Sequence, residues 1–341
     1  MTRKNQTKVP DLLADPFGER RSAMARRRVQ LLGARFEFES NSPQLLKLVD
    51  SAYAGLPRHR LSPAIPRLKV RLLLTSGKRR GRPSDPPPLA TFCADGLLAG
   101  ATDSSDFVVV SAGQGSALVA VSGQMLRFPY HTRYELIEFA VFTLAARAQA
   151  LVPLHAACVG AGGRGLLLIG PSGSGKSTVS LHCLLQGFDF LSEDSVFVLP
   201  DSLIATGVAN FMHVRSDSLR WLGRTHDAAA IRASPVIRRR SGVKKFELDL
   251  RRGDYRLAPS ALKIVAVIFL SPRRAVGALL RSLPKSGVPA RLADAQAYAA
   301  NQPEWGTFCR SLAGIDVFEL RRGRHPLEAV EALRELLASA S

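Results

Sequence analysis

The sequence is short of cysteine, aromatic residues, long apolar runs and acid. Its 4 cysteines, Cys93, Cys158, Cys183 and Cys309, are far apart and form neither a C-x-x-C pair nor a Cys/His cluster at zinc-ligand spacing. This excludes a disulfide-stapled scaffold and a zinc ribbon, and reduced thiols are expected. Aromatic residues make up only 7% of the chain and are not interleaved with the basic ones. No helix-turn-helix or zinc-finger pattern stands in for them, so nucleic-acid binding is disfavoured. The best candidate for a membrane span, residues 136–152, is broken by Glu138 and Arg147, and no apolar stretch of signal-peptide length follows Arg28. A cytoplasmic protein with no membrane partner is expected. Internal repeats are absent, while a hydrophobic fraction of 46% over 341 residues excludes wholesale disorder and suits about two domains.

Acid is the scarcest component: 28 Asp and Glu face 47 Lys and Arg, a net charge of +19. The excess is local. Residues 1–35 hold nine basic and three acidic residues, 51–84 nine and none, and 215–252 eleven and four, so the remaining chain is slightly acidic. Three blocks on a near-neutral body point to tails, loops or discrete anion sites rather than an even adhesive coat.

Pattern and punctuation divide the chain into a basic, mobile tail over residues 1–34, an N-terminal α+β domain over 35–152 and a second domain over 153–341. In the first domain, strands are expected at 35–39, 68–75, 92–101, 107–111 and 117–125. A helix follows Ser42 and Pro43 to residue 54, the proline-rich stretch 78–88 is a loop, and an apolar helix over 134–151 stops at Pro153. In the second, strands at 155–159 and 166–169 flank a glycine turn. A helix over 176–186 precedes Gly187, strands follow at 188–191, 196–199, 244–250, 264–270 and 317–320, and an amphipathic helix covers 326–338.

Gly170-Pro171-Ser172-Gly173-Ser174-Gly175-Lys176-Ser177-Thr178 fits G-x-x-x-x-G-K-[ST], directly after an apolar strand and directly before a helix. Glycine at 173 and 175 lets successive amides turn toward phosphate oxygens, and the helix start adds its positive dipole end. Lys176 supplies a cation for the β- and γ-phosphates of ATP, and the Ser177 hydroxyl is suited to Mg²⁺. The pair Glu193-Asp194 follows Lys176 after one helix and one strand, which returns both acids to the phosphate end of a sheet. Adjacent acids at a strand end point to opposite faces, so one can hold Mg²⁺ and the other can take a proton from an attacking hydroxyl.

With these residues in place, the chain resembles the bacterial HPr serine kinase/phosphorylase family, whose fold is shared with ATP-dependent phosphoenolpyruvate carboxykinase. The resemblance rests on Leu154-His155-Ala156-Ala157, Gly165-Leu166-Leu167-Leu168-Ile169-Gly170, the glycine loop, Leu185-Gln186-Gly187-Phe188 and Leu191-Ser192-Glu193-Asp194. It implies an α/β fold of α+β character, with a P-loop kinase core behind a non-catalytic N-terminal domain. It also makes Gly170, Ser172, Gly173, Ser174, Gly175, Lys176, Ser177 and Thr178 the ATP site, Ser177 and Asp194 the Mg²⁺ contacts, Glu193 the general base, and His155 a residue near the reacting phosphate. The family's later signature, an acidic residue followed by arginine and glycine, is missing, because residues 205–214 hold no carboxylate. The chain is more similar to relatives that phosphorylate serine on ribosomally made peptides, such as lasso-peptide tailoring kinases.

The block Arg238-Arg239-Arg240 with Lys244-Lys245 reads as a mobile arm reaching phosphate or an acidic peptide, Lys245 being the ATP-site candidate. Arg273 is a further candidate for adenine or phosphate contact. The expected activity is Mg²⁺/ATP-dependent transfer to a serine of a peptide or small protein, with a homo-oligomer compatible. The alternatives are a small-molecule hydroxyl kinase acting on free serine or a sugar, and a non-catalytic ATP-binding regulator.

Overall fold

Alternation at a period of two turns one side of a strand to the core. Phe36 and Phe38 are buried while Arg35 between the turn and Phe36 is exposed. The computed structural model describes residues 24–76, 86, 88–94 and 96–339. It is a mixed α/β protein of two compact units.

The first unit is built on a seven-stranded sheet of β1 (Ala25–Leu31), β2 (Ala34–Ser40), β3 (Arg67–Thr75), β4 (Ala90–Ala94), β5 (Leu97–Ala101), β6 (Phe107–Ser111) and β7 (Ser116–Ser122). The spatial order is β1-β2-β3-β7-β6-β5-β4, with β2, β3 and β7 parallel and β7 to β4 an antiparallel meander. Helix Pro43–Tyr53, with Leu45, Leu46 and Val49 buried, and the helical turns Thr132–Ile137 pack together on one face of the sheet.

The second unit carries β8 (Val152–Leu154), β9 (Ala157–Ala161), β10 (Arg164–Ile169), β11 (Asp189–Ser192), β12 (Val196–Val198), β13 (Ile204–Gly207), β14 (Phe211–Val214), β15 (Val236–Arg238), β16 (Lys244–Asp249), β17 (Leu262–Arg274), β18 (Leu280–Ser282) and β19 (Asp316–Arg322). Nine of these form one sheet, in which β10, β17 and β19 are parallel and long β17 also pairs with β13. Both β10 and β11 run antiparallel to β9 between them, so they are parallel to each other. Alternate residues of β10 feed two cores: Leu166 and Leu168 pack with the helices Lys176–Leu185 and Pro326–Ser339, and Leu167 and Ile169 with the helix Trp305–Leu312. The carboxyl ends of β10, β11, β17 and β19 therefore meet at one end of the sheet, where open α/β sheets bind ligands. A separate three-stranded sheet, β14-β16-β15, belongs to the same unit.

Several expectations need correction. Residues 1–23 and most of the loop at 78–88 lie outside the described residues, but 25–31, read as part of a mobile tail, form strand β1. Their arginines are tied by pairing, Arg28 Nε donating to Glu37 at 2.7 Å and Arg27 Nε to Asp50 at 3.1 Å. The strand expected over 92–101 is the hairpin β4–β5, turning at the positive-φ Gly96. The basic arm is likewise a hairpin, β15–β16, closed by Arg239 N–H donating to Val243 O at 2.9 Å. Among the described residues no helix is long and apolar enough to cross a membrane.

Candidate functional site

The glycine loop joins β10 to helix Lys176–Leu185. Gly173 (φ 80°) and Gly175 (φ 104°) take left-handed backbone that side chains disfavour, and Gly175 is the residue immediately before the helix. Ser174 N–H donates to Pro171 O at 3.1 Å, which closes the turn. Ser174 Oγ is buried without a hydrogen-bond partner, packed where a Cβ on Gly170 would strike it at 2.6 Å. Ser172 and Gly173 are exposed, Ser177 and Thr178 half-buried, and Thr178 Oγ1 lies 3.2 Å from Ser218 Oγ.

Lys176 is 7% exposed, and burial of an ammonium demands a partner. Its Nζ donates to Asp194 Oδ1 at 2.8 Å and approaches Glu193 O at 3.4 Å. Burial alone would raise the Asp194 pKa, but Lys176, with His155 and Arg239 behind it, holds this carboxyl well below the ordinary range. The guanidinium of Arg239 stands 3.5 Å from Asp194 Oδ2.

Glu193 is 3% exposed, and its Oε2 accepts from the His213 backbone N–H at 2.8 Å. Its Oε1 is buried without a hydrogen-bond partner. The His213 ring lies between two carboxylates, Nδ1 3.4 Å from Glu193 Oε2 and Nε2 3.2 Å from Glu247 Oε1. Burial lowers the His213 pKa, yet its hydrogen bonds to the Glu193 and Glu247 carboxylates reverse this and leave it raised. His213 and Glu247 are register partners on β14 and β16.

His155 sits just before β9 rather than within it, in a bend clamped by Gln296, which accepts from His155 N–H at 2.8 Å and donates to His155 O at 3.0 Å. Its Nδ1 lies 3.2 Å from Asp194 O, a carbonyl that can only accept, so Nδ1 carries the proton and Nε2 is left as an acceptor. Burial and the nearby Lys176 lower its pKa, consistent with a neutral ring.

Six groups thus converge: Lys176, Glu193 and Asp194 with His155, all singled out in the sequence, and His213 and Arg239. Lys245 also belongs here: burial lowers its pKa, opposed by the carboxylates of Glu193 and Asp194. Arg273 is exposed at the end of β17, whereas Arg322 on β19 reaches the loop and donates to Gly173 O at 2.8 Å. Sequence reasoning missed His213, Glu247 and Arg322, whose relevance depends on strand register and on neighbouring strand ends. One signal was available, the only histidine in the carboxylate-free stretch 205–214.

Glu193, Asp194 and His213 each offer a ligand atom, all within 4.8 Å of one another. At that spacing the three side chains could share one cation. The carboxyl-end position, the helix start and the cations suit a polyanion beside it. No family model matches the chain, and no curated protein matches it.

Proposed function

We propose that this chain is a Mg²⁺/ATP-dependent kinase with a P-loop core of the HPr serine kinase type, acting on a serine hydroxyl of a peptide or small protein. The observation that carries the reading is the 2.8 Å pair of Lys176 and Asp194 between the glycine loop and the end of β11, with buried Glu193 beside it. Each charge compensates the other, and a triphosphate at the glycine loop would compete for Lys176 and free Asp194.

In this reading, Gly173, Gly175 and the first turn of helix Lys176–Leu185 orient the triphosphate with their amides, and Lys176 offsets charge on its β- and γ-oxygens. Asp194 and Ser177 would hold Mg²⁺, whose chemistry is to neutralise the phosphate oxygens. Glu193 takes the proton of the serine hydroxyl at Oε1, the oxygen that has no hydrogen-bond partner. The serine oxygen forms the new bond to the γ-phosphorus as the bond from that phosphorus to the β–γ bridging oxygen breaks, and ADP leaves with that electron pair. Arg239 and neutral His155 lie on the Asp194 side, where they position the reacting phosphoryl group.

The test is transfer of label from γ-radiolabelled ATP to serine-bearing peptides. Lys176→Ala and Glu193→Gln are each expected to lower transfer by about a hundredfold or more. Undiminished transfer in either variant overturns the mechanism. Tight ATP binding with neither transfer nor hydrolysis across all acceptors overturns the kinase reading itself.

A further inference from the structure

Among the described residues, the helical segments of the first unit pack on one face of its sheet. On the other, alternation brings together the odd-numbered residues of β2 and β3: Arg35 is opposite Arg67, Glu37 opposite Lys69 and Glu39 opposite Arg71. From the edge strand β1, Arg26 and Arg28 reach Glu39 and Glu37 on the same face. Six cations therefore share this surface with two acids. Lys69, Arg71 and Arg26 all converge on Glu39, whose side chain is only 4% exposed, so the available negative charge is consumed at one end of the ladder.

At the other end nothing offsets it. Arg35 and Arg67 are both exposed, are direct neighbours across two hydrogen-bonded strands, and neither has an acidic partner among the described residues. Like charges opposite each other in a sheet are destabilising, and the arrangement becomes favourable when an anion bridges them. Guanidinium pairs are suited to carboxylates because each offers a planar fork of donors.

The same face continues without a break into apolar ground. Arg71 is opposite Leu118, which is opposite Val109, then Ala99, then Phe92, one row across five strands. Phe92 is 57% exposed and Leu97 45%. A partner for this surface carries carboxylates toward β1–β3 and aliphatic side chains toward β6–β4. Nucleic acid fits poorly, because the residues beside the cations are the aliphatic Leu118 and Val109, and the exposed ring of Phe92 lies at the far end of the row.

We infer that the open sheet face of the first unit docks an acidic, aliphatic-bearing peptide segment, with Arg35 and Arg67 receiving its carboxylates. This rests on the kinase reading only in taking that segment to belong to the polypeptide that supplies the acceptor serine.

The test is ATP-free, so its outcome is independent of phosphoryl transfer. Fluorescence anisotropy of a labelled dodecapeptide built from glutamate, leucine and serine is recorded with the full-length protein. A glutamate-to-lysine counterpart and an oligo-dT strand are recorded alongside. The acidic peptide is expected to bind, and Lys176→Ala to leave that binding unchanged. Arg35→Glu/Arg67→Glu should weaken it by about tenfold or more and improve binding of the lysine peptide. Arg35→Gln/Arg67→Gln, which removes the repulsion, should fall between, with a melting temperature no lower than that of the wild type. Equal binding by the wild type and the charge-reversed protein, equal binding of the two peptides, or tighter binding of oligo-dT overturns the inference. Docking without transfer to any acceptor would leave this surface standing and remove the kinase reading.

Discussion

Nζ of Lys176, on the first residue of its helix, lies 2.8 Å from Oδ1 of Asp194, two residues beyond the end of β11, and the two side chains are 8% and 24% exposed. The two partners are not equivalent. Asp194→Asn leaves Lys176 and Arg239 facing one another without the carboxylate, whereas Lys176→Met leaves the Asp194 carboxylate with Arg239 still beside it. Asp194→Asn should therefore cost about 2–3 kcal/mol and Lys176→Met clearly less, as measured by urea denaturation. Equal costs would show that Arg239 does not sense this carboxylate. Because the folded pKa of Asp194 is depressed, its contribution is complete above the ordinary carboxylate value and is lost only as pH falls through the folded one.

Glu247 acts on Glu193 through His213. Removing its charge with Glu247→Gln takes away one of two carboxylates that keep the His213 pKa raised. A raised folded pKa contributes stability that is complete below the unfolded value of about 6.5 and is lost as pH rises through the folded one. The variant should thus shift the His213 imidazole titration downward in NMR spectra and flatten the decline of melting temperature on the alkaline side. In the proposed kinase, phosphoryl transfer should fall while ATP affinity is retained. An unchanged titration would remove Glu247 from the site.

Gly207, at the end of β13, sits against the strand that delivers the acid pair. A Cβ there would meet Ser192 Cβ at 2.6 Å and Leu191 O at 2.8 Å. Backbone cannot yield as a flexible side chain can, so Gly207→Ala should cost about 1–3 kcal/mol and displace Glu193 and Asp194 relative to the loop. Transfer should drop more than ATP binding does. Calorimetry together with the transfer assay reads both, and a fully active, equally stable variant would contradict this packing.

His182, on the helix that the glycine loop opens, is buried at 3% exposure with Nε2 unpartnered, and its ring lies 5.6 Å from that of His325. Burial, reinforced by His325, lowers its pKa to about 4. For a base with a depressed folded pKa, the unfolded chain takes up the proton first. Stability is then lost as pH falls from about 6.5 toward about 4. His182→Leu should reduce this loss, seen as a shallower fall in melting temperature over that window. An unaltered slope would assign the acid sensitivity to other groups.

The local elements were well marked in the sequence wherever a short-range cause acts. Apolar β10, Gly173 and Gly175 in the loop and the helix after Lys176 are neighbours in the chain, and so their arrangement follows from backbone preference and helix geometry. The basic stretches were misread as mobile because charge runs say nothing of pairing. Arg26 and Arg28 are held in β1 by Glu37 and Glu39, and Arg239 closes a hairpin and turns toward Asp194.

By itself, then, the sequence determined the strand–loop–helix unit, the acid pair one helix and one strand later, and the concentration of positive charge in three blocks. Only the tertiary structure decided what those charges meet. Strand register set His213 against Glu247, and β19 carried Arg322 to the loop. Register also placed Arg35 beside Arg67 with no acid to share among the described residues. The reason is that pairing between strands far apart in the chain is set by the packing of whole sheets, which no window of neighbouring residues encodes.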